Sequence, residues 1–238
     1  MSSKYDVKDA SSYVTFGSKL LECQQIDHFM HTIGKNVLHN SDGYVGVDIG
    51  SCDGKFGQDF MQHYPSSKVI SVDPYAVKPN VLCKEGEAFI AEQPANTYDF
   101  LICKYAIHFI ANLPDFFSSC YDKLKPGGRM YILTMSKESS FPWTNAINAH
   151  FVTSCEKGDQ LANHIDPRFI VVKEKLSTVR TIPKVAFKTL LEHRGLSNLS
   201  VNTDEEIAAC IEQLLLDTNN TVTIEVIYYF FTLQKPAL

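Results

Sequence analysis

Strand-like and helical segments alternate along most of this chain, and the alternation constrains the fold more than any other sequence feature. Apolar runs that read as strands occupy residues 44–50, 68–74, 81–86, 98–105 and 129–135. Segments with the spacing of amphipathic helices lie between them and end at proline or glycine. The runs are apolar at nearly every position, which is typical of parallel strands covered on both faces. The sequence therefore predicts an α/β fold with a doubly wound, mostly parallel Rossmann-like sheet.

The sequence contains no sign of an internal domain boundary. The 238 residues show no repeat, low-complexity tract or linker, so we expect a single domain over 1–238. Residues 1–40 are expected to form an N-terminal helical cover and residues 44–135 a core that binds a ligand. The regular rhythm breaks in residues 136–182. An interruption of this length in a compact domain is typical of a functional lid, here part helical and part irregular.

Residues 183–238 are expected to complete the sheet after this lid. A helix is predicted over 183–195, a strand over 196–202, and a second helix with a capping box over 203–216. The long run of β-branched and aromatic residues over 221–235 predicts a last strand, antiparallel to its neighbour.

The composition excludes several classes of function. A formal net charge of −5, without a cluster of Lys and Arg, does not favour nucleic acid as a partner. The seven cysteines are scattered without a CxxC pair, which is typical of reduced thiols in the cytoplasm. No apolar stretch approaches the roughly 20 residues that span a bilayer, and the polar N-terminus does not resemble a signal peptide. His28 and His31 lack a third ligand nearby, so no metal is expected. We expect a cytoplasmic protein that acts on a small molecule.

The stretch VGVDIGSCDG at 45–54 places a glycine loop directly after the first predicted strand. In an open parallel sheet, ligands bind beyond the carboxyl ends of the strands, where such a loop lets the backbone approach them. Asp73 ends the second strand, and its carboxylate can accept hydrogen bonds from both hydroxyls of a ribose. Glu87 follows the third strand and would reach the edge of a purine. The alternative is a tight turn with two helix-capping acids. A dehydrogenase is disfavoured because the loop lacks the GxGxxG spacing.

Taken together, these motifs resemble those of the class I S-adenosylmethionine-dependent methyltransferases. The run DIGSCDG, from Asp48 to Gly54, is similar to the family's first motif, D/E-x-G-x-G-x-G. Four further stretches resemble the later motifs in their order along the chain: VISVDP, GEAF, YDFLICKYAIHFI and LKPGGRMYILTM. The resemblance covers residues 44–135 in detail and 183–235 in pattern only. It is specific to the superfamily and says nothing about the substrate.

The resemblance implies S-adenosyl-L-methionine as the cofactor and predicts the residues that hold it. Gly50, Cys52 and their neighbours would approach its methionine part, Asp73 its ribose, and Glu87 with Ala88 its adenine. The full predicted cofactor set is Asp48, Gly50, Ser51, Cys52, Asp73, Pro74, Glu87, Ala88, Lys104 and Tyr105.

Cys52 departs from the family pattern, because it replaces the middle glycine of the first motif. If its side chain points away from the cofactor, we expect binding to survive. If it points inward, affinity falls or the thiol becomes sensitive to alkylation. Loss of binding would make the chain a catalytically silent, methyltransferase-like partner subunit.

His108 is the predicted catalytic residue. Methyl transfer is a direct displacement on an activated carbon, so the enzyme mainly aligns a nucleophile and removes its proton where necessary. A histidine just past the fourth strand can orient or deprotonate the acceptor, since its ordinary pKa is about 6.5. AIHF at 106–109 is also similar to the AIHY stretch of mRNA cap guanine-N7 methyltransferases, so RNA cap or other nucleobase N-methylation is the alternative. The predicted substrate contacts are Tyr13, Phe109, Trp143 and Arg168.

Overall fold

A computed structural model describes residues 11, 12, 15, 24–37 and 43–237 of the chain. In chain order, the elements are α1 (Gln24–Val37), β1 (Tyr44–Ile49), α2 (Lys55–His63), β2 (Ser67–Asp73), β3 (Leu82–Cys83), α3 (Gly86–Glu92), β4 (Tyr98–Lys104), α4 (Leu113–Lys123), β5 (Leu124–Met135), α5 (Asn145–Asp159), β6 (Ile170–Pro183), α6 (Lys184–Glu192), α7 (Asp204–Leu216) and β7 (Thr221–Gln234). Short 3-10 helices at Ile107–Phe109, Leu161–Asn163 and Ser197–Val201 connect some of them.

The strands form one sheet in the order β3-β2-β1-β4-β5-β7-β6. The first five are parallel, and β7 runs antiparallel to both β5 and β6. The predicted α/β class, with its antiparallel last strand, is therefore confirmed. Because β1, β2, β4 and β5 are parallel, the residues that follow them meet at one edge of the sheet.

Hydrophobic side chains cover both faces of the sheet, as the apolar strands predicted. Alternate residues of β4 point to opposite faces: Phe100 belongs to the cluster that contains α1 and α2, whereas Leu101 packs with α3 and α4. On the first face, Phe29 of α1 is fully buried against the rings of Phe56 and Phe230. The described part of the N-terminal region is thus an integral layer of the core.

The C-terminal region differs from the prediction at one strand. The predicted strand over 196–202 is wrong, because these residues form the 3-10 helix Ser197–Val201. One strand was not predicted from the sequence. This is β6, which occupies 170–182 of the expected lid and pairs with β7 along its whole length. β6 lies at the edge of the sheet and exposes apolar side chains, with Val179 65% exposed. An edge strand of this kind lacks the apolar pattern from which buried strands are predicted.

The predicted helix over 203–216 is confirmed together with its capping box. The hydroxyl of Thr203 accepts a hydrogen bond from the backbone N–H of Glu206, and the Glu206 carboxylate accepts one from the N–H of Thr203. Across the described ranges, none of the helices combines the length and apolarity that a membrane crossing requires.

Candidate active site

A cavity of about 630 Å³ lies at the carboxyl edge of the sheet. The ends of β1, β2 and β4 line one part of it, and the end of β5 lies with the elements of the other part. These elements are α5 and the 3-10 helix Ser197–Val201. The cavity thus runs from the glycine loop, past His108, to elements from the second half of the chain. Its volume is that of a site for a small molecule or cofactor.

Two glycines of the loop, Gly50 and Gly54, occupy positions where an added Cβ would collide with a neighbouring residue. Gly50 has a φ of +70°, and an added Cβ would lie 2.3 Å from the Cβ of Ala106. Gly54 also has a φ of +70°, and its Cβ would lie 2.7 Å from Nδ2 of Asn80. Both positions therefore need glycine, for its left-handed backbone and for the close approach of the neighbouring loops.

Cys52 also adopts the left-handed conformation, with a φ of +56°. This explains why the family motif has glycine here, since a residue with a Cβ is strained in this region by about 1–2 kcal/mol. Its backbone N–H donates a 2.9 Å hydrogen bond to Oδ2 of Asp73. Burial, with the nearby charges of Asp73 and Asp53, raises the pKa of the thiol to about 12. The thiol lines the cavity in its protonated, weakly nucleophilic form.

Asp73 lies where β2 meets the cavity and is only 8% exposed. Besides the Cys52 bond, its Oδ1 accepts a 2.8 Å hydrogen bond from the N–H of Tyr75. Burial raises the pKa of Asp73, although these two hydrogen bonds oppose the shift. Each oxygen accepts one backbone hydrogen bond and retains a second lone pair for a ligand. Pro74 follows it in the cavity wall.

Asp48 is buried at the end of β1, and neither of its carboxylate oxygens has a hydrogen-bond partner among the described residues. The hydroxyl of Ser51, in the cavity wall, also lacks one there. Burial raises the pKa of Asp48 to about 7; the charge of Lys104 opposes the rise, while Asp73 and Asp53 add to it. Unpartnered buried carboxylates are rare and costly. Asp48 itself is not among the residues that line the cavity, whereas Ile49 and Gly50, which follow it, are.

The other predicted cofactor residues differ in position. Lys104 and Tyr105 line the cavity, with Nζ of Lys104 5.2 Å from the centre of the Tyr105 ring. Glu87 also lines it, and its Oε1 accepts 3.1 Å hydrogen bonds from the N–H groups of Ala111 and Asn112. Ala88 is exposed and is not among the residues that line the cavity.

His108 projects from the 3-10 helix Ile107–Phe109 into the middle of the cavity wall. Its Nε2 lies 3.3 Å from the hydroxyl of Ser197. Lys157 of α5 donates hydrogen bonds to the backbone carbonyls of His108 at 3.3 Å and Ile110 at 3.0 Å. Burial, and secondarily the charge of Lys157, lowers the pKa of His108 to about 4. The ring is therefore neutral at physiological pH.

Of the three predicted substrate contacts that the structure describes, only Phe109 lines the cavity. Trp143 is buried and stacks on Phe141, with the ring centres 4.2 Å apart. Arg168 lies outside the cavity, where its guanidinium binds Asp166, Asp122 and Ser118 and covers the ring of Tyr121. Their positions therefore do not support the predicted contacts, since both side chains are engaged elsewhere. Tyr13 lies outside the described residues.

Several cavity residues were not predicted from the sequence, and we refer to eight of them, which come from the second half of the cavity-lining elements, as the far wall. They come from the end of β5, from α5 and from the 3-10 helix Ser197–Val201 with the residue before it: Thr134, Met135, Phe151, Ser154, Cys155, Leu196, Ser197 and Asn198. The end of β5 could have been predicted, since it meets the same sheet edge as β1 and β4. The helical members carry no local signal.

A glycine loop beyond β1, an acid ending β2 and a cavity at this edge define a nucleotide-cofactor enzyme of the Rossmann-like class. The family can also be named: residues 24–201 match the model of the methyltransferase domain, and the chain belongs to that family. The prediction of a class I S-adenosylmethionine-dependent methyltransferase is confirmed.

Solved structures agree on the fold. A protein from Anabaena variabilis, assigned as a methyltransferase of an antibiotic biosynthesis pathway, superposes with a TM-score of 0.59 at 19% identity, covering 84% of this chain and 96% of that one. A protein from Bacillus halodurans, assigned as a methyltransferase, superposes with a TM-score of 0.53 at 14% identity, covering 87% of this chain and 99% of that one. The protein YcgJ from Bacillus subtilis superposes with a TM-score of 0.53 at 16% identity, covering 89% of this chain and 100% of that one. The comparison with curated proteins gives no match.

Proposed function

We propose that this enzyme methylates a small-molecule acceptor by direct displacement, inside the cavity at the carboxyl edge of the sheet. One observation carries the proposal: a single cavity connects the glycine loop, His108 and the far wall. Cofactor and acceptor can therefore meet in one space bounded by α5, away from bulk water. A bounded site of this size suits a small acceptor better than a polymer.

The residues present fit S-adenosylmethionine. The carboxylate of Asp48 is buried, unpartnered and directly precedes the cavity-lining residues Ile49 and Gly50, so we assign it to attract the ammonium group of the methionine part. The two oxygens of Asp73 are suited to the ribose hydroxyls, and Glu87 to the edge of the adenine. When bound, the cofactor supplies a methyl group already activated on a sulfonium sulfur.

Cys52 is compatible with a bound cofactor, and its thiol takes no part in the reaction. Its N–H holds Asp73 in place, and its thiol stays protonated. These two features support an active enzyme over the silent partner subunit that the loss of a glycine suggested.

His108 is proposed to orient the acceptor and to accept its proton. The neutral ring presents a nitrogen acceptor to the cavity, 3.3 Å from Ser197. With a pKa of about 4 it is a weak base. The proton of the acceptor therefore leaves while the new bond to the methyl group forms, because the attacking atom becomes strongly acidic as it is methylated. It does not leave before that.

Calorimetric titration with S-adenosylmethionine and S-adenosylhomocysteine tests the cofactor site. We expect micromolar binding by the wild type and a loss of at least about tenfold in Asp73→Ala, because two hydroxyl hydrogen bonds are removed. Asp122→Ala is the matched control, since Asp122 is an exposed aspartate outside the cavity. Unchanged binding by a folded Asp73→Ala variant would contradict this placement.

Transfer of a labelled methyl group tests the acceptor class. The enzyme is incubated with radiolabelled S-adenosylmethionine and a cell extract, which is then separated into small molecules, RNA and protein. Label in the small-molecule fraction is expected. Label in RNA alone would favour the nucleobase alternative.

A further inference from the structure

The charged side chains of the cavity are confined to one half of it. Asp53, Lys55, Asp73, Glu85, Glu87 and Lys104 all lie at or after the ends of β1, β2, β3 and β4. The far wall contains no Asp, Glu, Lys or Arg among the described residues that line the cavity. If the charged half holds the cofactor, the uncharged half faces the acceptor.

The titratable groups that border the uncharged half are also neutral. Burial raises the pKa of the Cys155 thiol to about 12, so that it stays protonated. The ring of His108 is neutral because its pKa is lowered to about 4. Two charged groups lie close to these residues, and neither is among the cavity-lining groups. The ammonium of Lys157 is bound to the carbonyls of His108 and Ile110. The carboxylate of Asp159 adds to the raised pKa of Cys155. An acceptor bearing a charge here would lose its hydration without gaining a counter-ion among the cavity-lining groups.

The remaining groups of the far wall are suited to an apolar molecule with a few oxygen atoms. Phe151 and Leu196 are almost fully buried and offer apolar surface, and Phe109 faces the cavity beside His108. Asn198 is 7% exposed, and its Nδ2 has no hydrogen-bond partner among the described residues. A buried amide donor of this kind requires an acceptor oxygen. The Ser197 hydroxyl and His108 Nε2 form a second polar point.

We propose that the acceptor is an uncharged molecule with a flat apolar frame and that its methylated atom is a hydroxyl oxygen, as in a phenol. This inference rests on the proposed function, because it takes the charged half of the cavity as the cofactor site. A phenol is neutral at physiological pH, since its pKa is about 10, whereas an alkyl amine is cationic and a carboxylic acid anionic. The uncharged half therefore disfavours alkyl amines and carboxylic acids, and the polar point formed by the Ser197 hydroxyl and His108 Nε2 is suited to a hydroxyl nucleophile.

The reaction balances with the groups at the site. The acceptor oxygen forms the new C–O bond as the bond between sulfur and methyl breaks, and the sulfur keeps the bonding electron pair. Nε2 of His108 takes the hydroxyl proton, which becomes strongly acidic as the oxygen is alkylated. The imidazolium then releases the proton to solvent readily, since the pKa of His108 is about 4. The products are an aryl methyl ether, S-adenosylhomocysteine and a proton.

Three probes that share one phenol ring test this inference: methyl 4-hydroxybenzoate, which is neutral, 4-hydroxybenzoate, which is anionic, and tyramine, which is cationic. Binding of each to the enzyme saturated with S-adenosylhomocysteine is measured by calorimetry, and ether formation with S-adenosylmethionine by mass spectrometry. We expect the neutral ester to bind at least about tenfold more tightly than either charged probe and to be methylated on its hydroxyl.

A charge introduced into the far wall should change this order. In Ser154→Lys, 4-hydroxybenzoate should gain affinity relative to the ester, because its carboxylate finds a counter-ion. Ser66→Lys is the matched control, since Ser66 is exposed and outside the cavity. Equal or tighter wild-type binding of a charged probe would overturn the inference. So would the absence of binding by any probe to an enzyme that binds S-adenosylhomocysteine. Failure to bind S-adenosylhomocysteine itself would instead refute the proposed function.

Discussion

The backbone N–H of Cys52 donates a hydrogen bond of 2.9 Å to Oδ2 of Asp73 and thereby ties the loop after β1 to the end of β2. Cys52 makes this bond from the left-handed conformation, with a φ of +56°. Together with the hydrogen bonds from the N–H groups of Gly50 and Ser51 to the carbonyl of Val72, this contact joins the two parts of the predicted cofactor site, and it offsets the strain of the Cys52 backbone.

Cys52→Gly should stabilise the protein without weakening cofactor binding. Glycine adopts a positive φ without strain, so the free energy of unfolding should rise, by up to about 1 kcal/mol after the greater entropy of the unfolded chain is counted. Urea denaturation and calorimetry measure the two effects. Cys52→Ala is the control, since it keeps the Cβ and should show no gain. A destabilised Cys52→Gly would mean that the thiol contributes contacts that outweigh the strain.

Asp48 should make cofactor binding depend on pH near neutrality. Its pKa is about 7 because it is buried, so about half of the free enzyme carries a proton there at pH 7. A cationic group bound beside it favours the ionised form, so binding should release a proton and strengthen as pH rises through 7. Calorimetry in two buffers of different ionisation enthalpy measures the release. Asp48→Asn should abolish it; proton release that persists in this variant would exclude Asp48 as the source.

Stability should also depend on pH through Asp48. The pKa of this carboxyl is raised on folding, so its contribution to stability is present below about pH 4 and is lost as pH rises to about 7. The loss is on the order of a few kcal/mol. Between pH 4 and pH 7, thermal denaturation of Asp48→Asn should therefore show less loss of stability than that of the wild type. Parallel curves for the two proteins would contradict the raised pKa.

His108 should make the stability of the protein change with pH in the opposite direction. Its pKa is lowered from 6.5 to about 4, so the unfolded chain binds a proton that the folded protein does not between these values. Stability should fall as pH drops from 6.5 to 4, by up to about 3 kcal/mol. His108→Gln should reduce this acid destabilisation while abolishing or strongly reducing methyl transfer. Methyl transfer at saturating S-adenosylmethionine should show no His108 titration near pH 6.5; an inflection there that persists in Asp48→Asn would refute the lowered pKa of His108.

Lys157 should position His108 and keep its ring neutral. Replacing it by methionine removes a nearby positive charge and two hydrogen bonds to carbonyls, so the pKa of His108 should rise and stability should fall by about 1–3 kcal/mol. NMR titration of the His108 ring measures the pKa without need of an acceptor. Lys188→Met, on the exposed face of α6, is the control. An unshifted His108 pKa in Lys157→Met would leave Lys157 with a purely structural role.

The predictions from sequence succeeded where a function is encoded in adjacent residues. The glycine loop and the acid at 73 were found because a strand end, a positive φ and a carboxylate each leave a local pattern. The placement of Trp143 and Arg168 at the acceptor was inferred from their position in an irregular segment, and both side chains lie elsewhere. The edge strand β6 was missed because its exposed apolar residues follow no buried face.

The sequence by itself determined the parallel sheet and the loop after β1, because strands buried on both faces and turns with left-handed backbone restrict which residues can occupy them. The cofactor followed from the resemblance of the chain's motifs to those of the methyltransferases. Only the tertiary structure decided what faces the methyl group. Phe151, Ser154 and Asn198 come from elements far apart in the chain, and packing of α5 and the 3-10 helix Ser197–Val201 over the sheet brings them beside His108. Their chemistry as a set, uncharged and largely apolar, depends on long-range contacts that no local pattern records.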